Sequence, residues 1–352
     1  MDFVVKEHSR LAVQQAIDAA HGAGGGRVVL EPGVYRGGSL WLKSNVELYL
    51  SAGARLVGSS RSEDYDDFDD PRLGARQPEN SRKFLIGARD AENIAITGPG
   101  EINGSGPEFY DRTVQPGGFY AKPACPRPRM VQFFRCRNVR LEDANFIDSP
   151  GWTMWLIDCH QVCVHGIHVA GDQRMINNDG LDIDGCSEVT VSDSFFRTGD
   201  DCLILRAIRR NSDEPVVCEN VAVTNCVLDS RCQGIRVGCP SDDTIRHCRF
   251  SNLVIRGEGN GININNPRHY LAQGCSGYMD LHDVTFDSLT IESTRIPVWI
   301  NIEAGIRLRR IQVLVFSNLA IAAPEPCRID GCAETMPEDI HFSNVRFRPT
   351  GD

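Results

Sequence analysis

The sequence predicts an all-β fold, a single-stranded parallel β-helix of about ten coils that a helix caps at the N-terminus. A nine-residue pattern recurs at intervals of 23 to 36 residues, which is the spacing of a solenoid with one repeat per coil. The regularly spaced Asn-Gly or Asp-Gly turns of an antiparallel sandwich are missing. Because solenoids grow by adding coils, the 352 residues are expected to form one domain over residues 1–352.

The repeat has apolar residues at its second, fourth and ninth positions. Its copies begin at Asn138, Gln161, Glu188, Asn220, His247, Asp283, Val313 and Asp339. The sixth position is small or of the Asn/Asp type, namely Asp143, Gly166, Asp193, Asn225, Asn252, Ser288, Asn318 and Asn344. These residue types tolerate a left-handed backbone, so we expect a sharp corner at each of them.

The predicted cap occupies residues 1–26 and consists of a helix and a glycine-rich turn. Ser9 is a suitable N-cap, and Gly22 to Gly26 provide the end of the helix. Apolar residues recur at helical spacing between them, at Leu11, Val13, Ala16, Ile17 and Ala20. A solenoid needs such a cap because the apolar face of its first coil is otherwise exposed.

The composition excludes some classes of binding partner. The chain has 47 acidic and 37 basic residues and no basic run, so nucleic acid is not expected as a partner. No apolar stretch is long enough for a membrane span, and the first residues lack an apolar signal segment, so we expect no membrane partner and a cytoplasmic location. The cysteine and histidine spacings form no zinc pattern, and no metal or cofactor is expected.

The 14 cysteines lie mostly in apolar strand patterns, where free cysteine behaves as a small core residue. Five of them are expected inside the coils: Cys163, Cys186, Cys202, Cys226 and Cys248. Two pairs have spacings that would allow a disulfide, Cys159 with Cys163 and Cys327 with Cys332.

Two acidic segments, 177–184 and 198–205, are the most informative part of the sequence. Asp179 precedes Asp200 by 21 residues and Asp201 by 22, which is about one coil. The three carboxylates are therefore expected on neighbouring rungs ~4.8 Å apart. Carboxylates that close raise one another's pKa, and a protonated acid can then lie beside an ionised base. The alternative is a structural row of Asp residues at turns, bonded to their own backbone.

An outward-facing polar stripe follows from strand alternation. We align the second strand of successive coils so that these residues stack inward: Trp152, Leu181, Cys202, Ile235, Ile262 and Ile300. The outward residues are then Thr153, Trp155, Asp182, Asp184, Arg236, Asn263, Asn265, Asn301 and Glu303, with Gln233 just before its strand. Polar groups beside Trp155 are typical of a sugar groove, although core packing is an equal alternative for this tryptophan. Arg206, Arg209 and Arg210 are expected in a solvated loop beside the groove, or facing an acidic chain.

Four segments together resemble glycoside hydrolase family 28, the polygalacturonase family. They are Leu30-Glu31-Pro32-Gly33-Val34-Tyr35, Ser149-Pro150-Gly151-Trp152, Asn177-Asn178-Asp179-Gly180-Leu181-Asp182 and Gly199-Asp200-Asp201-Cys202. The resemblance implies a right-handed β-helix and an inverting hydrolase. It also implies that Asp200 is the general acid and that Asp179 and Asp201 hold and deprotonate the attacking water.

The departures from that family concern the groups that contact the sugar. The family's site histidine is replaced by Gln233, and its Arg-x-Lys strand, which grips a substrate carboxylate, is replaced by Asn263-Ile264-Asn265. Glu303 and Ala304 stand near the place of an expected aromatic hydroxyl. We therefore expect an exo-acting hydrolase of pectin-related or other plant-derived oligosaccharides that prefers a neutral or deoxy sugar to galacturonate. The substrate-binding candidates are Asp182, Gln233, Arg236, Asn263, Asn265, Trp155 and Glu303.

Arg236 has two interpretations. It either replaces one of the missing cations or forms a structural ion pair with Asp182 or Asp184. Two other functions also stay open: a polysaccharide lyase on the same fold, which would need a cationic base and usually calcium, and a non-catalytic carbohydrate-binding solenoid.

Overall fold

The computed structural model describes residues 1–74, 80–210, 214–271 and 278–351. As predicted, the chain has the right-handed parallel β-helix fold, with short strands paired in parallel and few helices. No helix in these residues is long and apolar enough to span a membrane. The described residues form two compact units, the first of residues 1–69, 80–181 and 193–199 and the second of 70–74, 182–192, 200–210, 214–271 and 278–351. The single domain over residues 1–352 stays a prediction.

Fifteen strands and the N-terminal helix precede the acidic segments. They are β1 (Asp2–Val5), α1 (Arg10–Gly22), β2 (Gly26–Leu30), β3 (Gly33–Gly37), β4 (Leu40–Trp41), β5 (Val46–Leu50), β6 (Ala54–Gly58), β7 (Phe84–Arg89), β8 (Glu92–Thr97), β9 (Glu101–Asn103), β10 (Arg129–Phe134), β11 (Arg137–Glu142), β12 (Asn145–Ile147), β13 (Met154–Ile157), β14 (His160–His165) and β15 (His168–Ala170). Within the first unit, β4, β7, β10 and β13 follow one another in one sheet.

The remaining elements belong to the second unit, except β18 and the first residue of β16. They are β16 (Leu181–Asp184), β17 (Ser187–Ser192), β18 (Phe195–Thr198), β19 (Leu203–Arg206), β20 (Val217–Thr224), β21 (Val227–Ser230), β22 (Gln233–Gly238), β23 (Thr244–Gly257), β24 (Asn260–Asn265), α2 (Arg268–Leu271), β25 (Asp280–Ser293), β26 (Val298–Asn301), β27 (Arg310–Ala323), β28 (Arg328–Asp330) and β29 (Glu338–Pro349). Here β16, β19, β22, β24, β26 and β28 are successive strands of one sheet. With the four equivalent strands of the first unit, the described residues contain the roughly ten coils that the repeats predict.

Helix α1 matches the predicted cap in most details. The Ser9 hydroxyl accepts a hydrogen bond from the Ala12 amide at 3.2 Å, and the helix ends at Gly22. Its buried face packs on the first strands, but the predicted inward residue Leu11 is exposed. Strand β1, which pairs with β2, was not predicted.

Left-handed corners close every copy of the repeat. All eight sixth positions have a positive φ, between 49° and 63°, which confirms the predicted corner. The first position of each copy also has a positive φ, between 52° and 57°, which the sequence analysis missed. Valine is disfavoured there because its branched Cβ crowds the backbone, so Val313 lies at a strained corner.

The cores of the coils contain stacked side chains from equivalent positions. Phe250, Phe286 and Phe316 stack with ring centroids 4.9 Å apart. Four of the five cysteines predicted inside the coils are buried: Cys186, Cys202, Cys226 and Cys248. The fifth prediction was wrong, because Cys163 lies between the inward Val162 and Val164 and is half-buried. Every described cysteine is free, including the two pairs whose spacing suggested a disulfide.

The predicted stacking register of the second strand needs two corrections. Ile235 is paired with Leu203 and not with Cys202. Ile262 is paired with Val298, and Ile300 with Ile264. The predicted alternation is unaffected for Arg236 and Asn263, since an apolar residue lies on each side of both, whereas Asn265 is followed by the polar Asn266. Corner length caused the errors, because hydrophobic periodicity does not tell where a corner ends and the next strand begins.

Relief of the strained corner at Val313 should stabilise the protein. In Val313→Asn, asparagine accepts the left-handed backbone and gains a donor toward Asp283, as Asn138 donates to Asn93 Oδ1 at 2.8 Å on another corner. We expect the free energy of unfolding, measured by urea titration, to rise by about 1 kcal/mol. The matched control is Val315→Asn, on the same strand at a position without a positive φ, where no gain is expected. An equal effect of both substitutions would contradict strain at Val313.

Candidate active site

A buried arginine holds the first acidic segment from the loop before β10. Arg127 Nη1 donates to the carbonyl oxygens of Ile176, at 2.8 Å, and Pro150, at 3.0 Å, while its Nη2 donates to Asn177 Oδ1 at 3.0 Å. The Tyr110 hydroxyl donates to the same Ile176 oxygen at 2.7 Å. These contacts fix the backbone just before Asp179. The sequence analysis did not identify Arg127 and Tyr110, because residues outside strands and helices carry no periodic signal.

The second motif residue, Asn178, connects the two acidic segments within the first unit. Its Oδ1 accepts a hydrogen bond from the Gly199 amide at 2.8 Å, and its Nδ2 donates to the Asp172 carbonyl at 3.2 Å. A Cβ on Gly199 would lie 2.3 Å from the Met175 carbonyl oxygen, so only glycine fits. Asn177 and Asn178 thus both hold the backbone next to the acidic residues.

Asp179 is buried in the first unit, whereas Asp200 and Asp201 belong to the second. The assembly of these three carboxylates into one group stays a prediction that rests on the sequence motifs.

Trp155 is almost fully buried. The Arg129 guanidinium lies 4.6 Å from its ring centroid, and Trp152 meets it edge to face at 5.4 Å. Trp155 lies on β13, where other side chains cover its ring. Its role as a sugar platform stays a prediction.

The backbone around Asp200 and Asp201 is fixed by a serine of the next coil. Ser230 Oγ donates to the Asp200 carbonyl oxygen at 2.7 Å and accepts from the Cys232 amide at 2.8 Å. The Asp201 amide donates to Asp200 Oδ1 at 3.0 Å. Asp200 is half-buried and Asp201 is 1% exposed, so two neighbouring acids have different solvent access.

Asp201 has the electrostatics of a group that titrates near neutral pH. Burial raises the pKa of its carboxyl, the guanidinium of Arg236 lowers it and the neighbouring Asp200 raises it again, to about 6. Arg236 Nη1 lies 3.2 Å from Asp201 Oδ2, whereas Asp201 Oδ1 is buried and has no hydrogen-bond partner. One oxygen of this carboxylate is therefore available to accept a bond from a ligand or water.

Asp182 and Asp184 are fully buried and form ion pairs. Arg206 Nη2 lies 2.8 Å from Asp182 Oδ1, and Arg210 Nη2 lies 2.6 Å from Asp184 Oδ2. The predicted solvated loop was therefore wrong for these arginines, whose side chains are only 6% and 9% exposed. The ion pair of Arg236 with Asp182 or Asp184 was also wrong, because Arg236 pairs with Asp201. Substrate binding by Asp182 stays a prediction.

The amide of Gln233 is bound by its neighbours. Its Oε1 accepts from Asn260 Nδ2 at 3.0 Å, and its Nε2 donates to the Cys232 sulfur at 3.5 Å. Gln233 thus takes part in a hydrogen-bond network that no proton can switch, since an amide does not titrate near neutral pH.

Asn263 and Asn265 differ in their contacts. Asn265 Oδ1 accepts from Arg236 Nε at 3.2 Å. Asn263 is in register with Arg236 on one side and Trp299 on the other, and its buried Oδ1 has no hydrogen-bond partner. A buried acceptor without a donor is costly, so this oxygen favours a ligand that donates a hydrogen bond.

The second unit's polar region is the name used here for Asp200, Asp201, Gln233, Arg236, Asn263 and Asn265, together with Glu303, in a loop, and Tyr270, on α2. Glu303 Oε2 accepts from the Arg268 amide at 3.2 Å. Tyr270 on α2 interacts with Cys239 and with the guanidinium of Arg236, and burial raises the pKa of its hydroxyl. The sequence analysis placed Glu303 and Ala304 near the position of the family's aromatic hydroxyl and did not identify Tyr270, because the four-residue α2 is too short to give a periodic signal.

Metal-ligand geometry occurs at one cluster in the described residues. Asp200, Asp201 and Cys232 each offer a ligand atom within 4.8 Å of the others. The guanidinium of Arg236 already supplies positive charge to Asp201, so a cation is not required there for charge balance.

The sequence profile described as glycosyl hydrolases family 28 matches residues 68–305. This chain belongs to that family. The matched range includes both acidic segments as well as β22 and β24, so it covers the second unit's polar region.

The curated relatives of this family 28 chain include plant and bacterial polygalacturonases. It is 26% identical over 216 residues to a probable polygalacturonase of Arabidopsis thaliana, a match that covers 60% of the chain and 41% of the relative. It is 22% identical to an endo-polygalacturonase of Pectobacterium carotovorum subsp. carotovorum over 84% of the chain and 81% of that relative. The chain therefore spans less than half the length of the Arabidopsis relative.

A solved structure shares the fold. The hyperthermoactive exopolygalacturonase from Thermotoga maritima aligns with 99% of this chain and 91% of its own, with a TM-score of 0.71 and 20% sequence identity.

Burial of Asp201 should make the stability of the protein depend on pH. Because its folded-state pKa of about 6 lies above the ordinary value of 3.8, its contribution to stability is fully present below pH 3.8 and is lost as the pH rises through 6. Between about pH 4 and 7, wild type should lose about 3 kcal/mol relative to Asp201→Asn, since one pKa unit corresponds to about 1.4 kcal/mol. Urea unfolding of both proteins across this range measures the difference.

Asp287→Asn is the control variant, for which the pH dependence of stability should have the opposite sign. Hydrogen bonds from Ser317, Ser288 and Asn318 lower the pKa of Asp287, so wild type should gain stability relative to this variant as the pH rises. A difference between wild type and Asp201→Asn that does not change with pH would refute the raised pKa.

Proposed function

We propose that this protein is an inverting glycoside hydrolase that cleaves a glycosidic bond in a pectin-related or other plant-derived oligosaccharide. The observation that carries the proposal is Asp201: a buried carboxylate with a pKa of about 6, one oxygen bound by Arg236 and the other without a partner, directly after Asp200. An ionised base beside a second carboxyl group is the arrangement that hydrolysis of an acetal requires.

In the proposed reaction, Asp200 gives its proton to the glycosidic oxygen as the bond from that oxygen to the anomeric carbon breaks. Asp201 accepts a proton from water while the water oxygen bonds to the anomeric carbon on the opposite face of the sugar. Asp179 is proposed to help hold this water, and it enters the mechanism through its family motif alone. Half-buried Asp200 has the solvent access that an acid needs to be reprotonated.

Amide side chains support a neutral or deoxy sugar as the substrate. Where a carboxylate-binding cation pair is absent, Asn263 offers a buried acceptor oxygen and Asn265 an oxygen that Arg236 occupies. An acceptor oxygen attracts a hydroxyl group and repels a carboxylate. Exo cleavage is included in the proposal because an exopolygalacturonase aligns along nearly the whole chain.

The acids can be tested by substitution. Asp200→Asn and Asp179→Asn should each lower kcat by about 10²- to 10⁴-fold, the range that general acid–base catalysis contributes, because the amide neither gives nor takes the proton. Release of the sugar from a panel of aryl glycosides of neutral and deoxy sugars measures the effect, and circular dichroism checks that the variants are folded. Asp287→Asn, on the outer strand β25, is the control that should keep wild-type kcat.

The same panel separates the alternatives. Near-normal turnover by Asp200→Asn would refute its role as the acid, and faster release of galacturonate from trigalacturonate than of any neutral sugar would refute the proposed specificity. An unsaturated product that absorbs in the ultraviolet and disappears with a chelator would indicate a lyase. Retention of the anomeric configuration, observed by proton NMR, would contradict inversion.

A further inference from the structure

Arg236 is the charged residue of the second unit's polar region for which the sequence left two interpretations. It lies on β22, where Nη1 is 3.2 Å from Asp201 Oδ2 and Nε donates to Asn265 Oδ1 at 3.2 Å. Asp182 and Asp184, one of which was the partner of Arg236 in the alternative interpretation, are already paired with other arginines. Its contacts are therefore directed at Asp201 and at an amide that holds the guanidinium in position.

The two oxygens of the Asp201 carboxylate differ in their contacts. Arg236 binds Oδ2, which fixes the plane of the carboxylate. Oδ1 is buried and has no hydrogen-bond partner. A base that receives a proton from water needs this arrangement, with one oxygen held and the other open.

The charges around Asp201 explain why a cation is needed to keep its carboxyl group ionised. Among the described residues of the second unit, the titratable groups that interact with it include Asp200, Cys232, Cys239 and Arg236. Burial and the Asp200 carboxylate both oppose ionisation of Asp201, and a guanidinium within hydrogen-bonding distance favours it. Tyr270 and Cys239 lie near Arg236 itself and are uncharged at neutral pH because burial raises the pKa of each.

We propose that Arg236 is a positioning residue that keeps Asp201 ionised and oriented as the base, and that it does not bind a carboxylate of the substrate. The inference rests on the proposed function, because it concerns the same reaction. Arg236 is the one cationic residue in β22 and β24, so its engagement with Asp201 leaves these two strands without a cation for a uronate. The neutral-sugar preference then follows from the site's own charge balance.

The test compares Arg236→Gln and Arg236→Lys with wild type in the pH dependence of kcat/KM, on the neutral glycoside that wild type releases fastest. Loss of the guanidinium should raise the pKa of Asp201 by about 1–3 units, so the acidic limb of the profile for Arg236→Gln should move to higher pH by that amount. At pH 7 this shift should lower kcat by about twofold to ninetyfold, according to its size, while KM changes little, and Arg236→Lys should restore most of the limb, because it keeps the charge.

The control is Arg246→Gln, which removes an arginine that pairs with Glu219 at 2.7 Å on the outer strands. This variant should leave the acidic limb unchanged. An unmoved limb in Arg236→Gln, or a KM increase confined to uronate substrates, would overturn the proposal in favour of substrate binding.

A measurement without substrate separates this proposal from the proposed function. Infrared difference spectra of wild type minus Asp201→Asn, recorded across pH, report the protonation of the Asp201 carboxyl directly, and the same difference in the Arg236→Gln background should give a higher pKa. If the protein releases no sugar but this shift occurs, the proposed function fails and the effect of Arg236 on Asp201 stands. Equal values in both backgrounds would refute the role of Arg236.

Discussion

Parallel ladders in register are the constraint on which the rest of this structure depends. Each strand lies beside the equivalent strand of the next coil, ~4.8 Å away, so a side chain meets the side chains at the same height on its two neighbours. Every coil must then turn at the same height, and the left-handed residues at the first and sixth repeat positions provide these turns. In the second unit the register sets Arg236 beside Asn263, and the preceding corner brings Asp201 within reach of the guanidinium.

Burial of charge is the second constraint, and it gives the acids of the two motifs different properties. A carboxylate without water is stable as an anion only when a cation or hydrogen-bond donors compensate it. Asp182 and Asp184 each have a buried arginine, and such closed pairs hold the strands together. Asp201 shares Arg236 with Asn265 and keeps one oxygen without a partner, so its protonation state responds to pH in the neutral range. Similar sequence neighbourhoods thus give closed ion pairs at Asp182 and Asp184 and a carboxylate with one oxygen without a hydrogen-bond partner at Asp201.

The errors of the sequence analysis have a common physical origin. Periodicity correctly identified the repeats and the corners at their sixth positions, because each depends on residues within a few positions of one another, but it missed the corners at the first positions. The predicted stacking of Cys202 with Ile235 and of Ile262 with Ile300 was wrong, because hydrophobicity does not indicate the length of a corner. The partners of Arg206, Arg210 and Arg236 were misjudged because a long flexible side chain has several acids within reach, and only the packed structure decides among them.

The sequence by itself determined the parallel β-helix, its capping helix, its family and the candidate acids, since these follow from a repeated local pattern and from motifs of adjacent residues. Tertiary structure alone decided which arginine compensates which acid and which acceptors, such as Asn263 Oδ1, have no donor. It also brought Tyr270 and Arg127 from loops to the polar groups they contact. The physical reason is that burial and ion pairing depend on contacts between residues far apart in the chain, and no local pattern encodes those contacts.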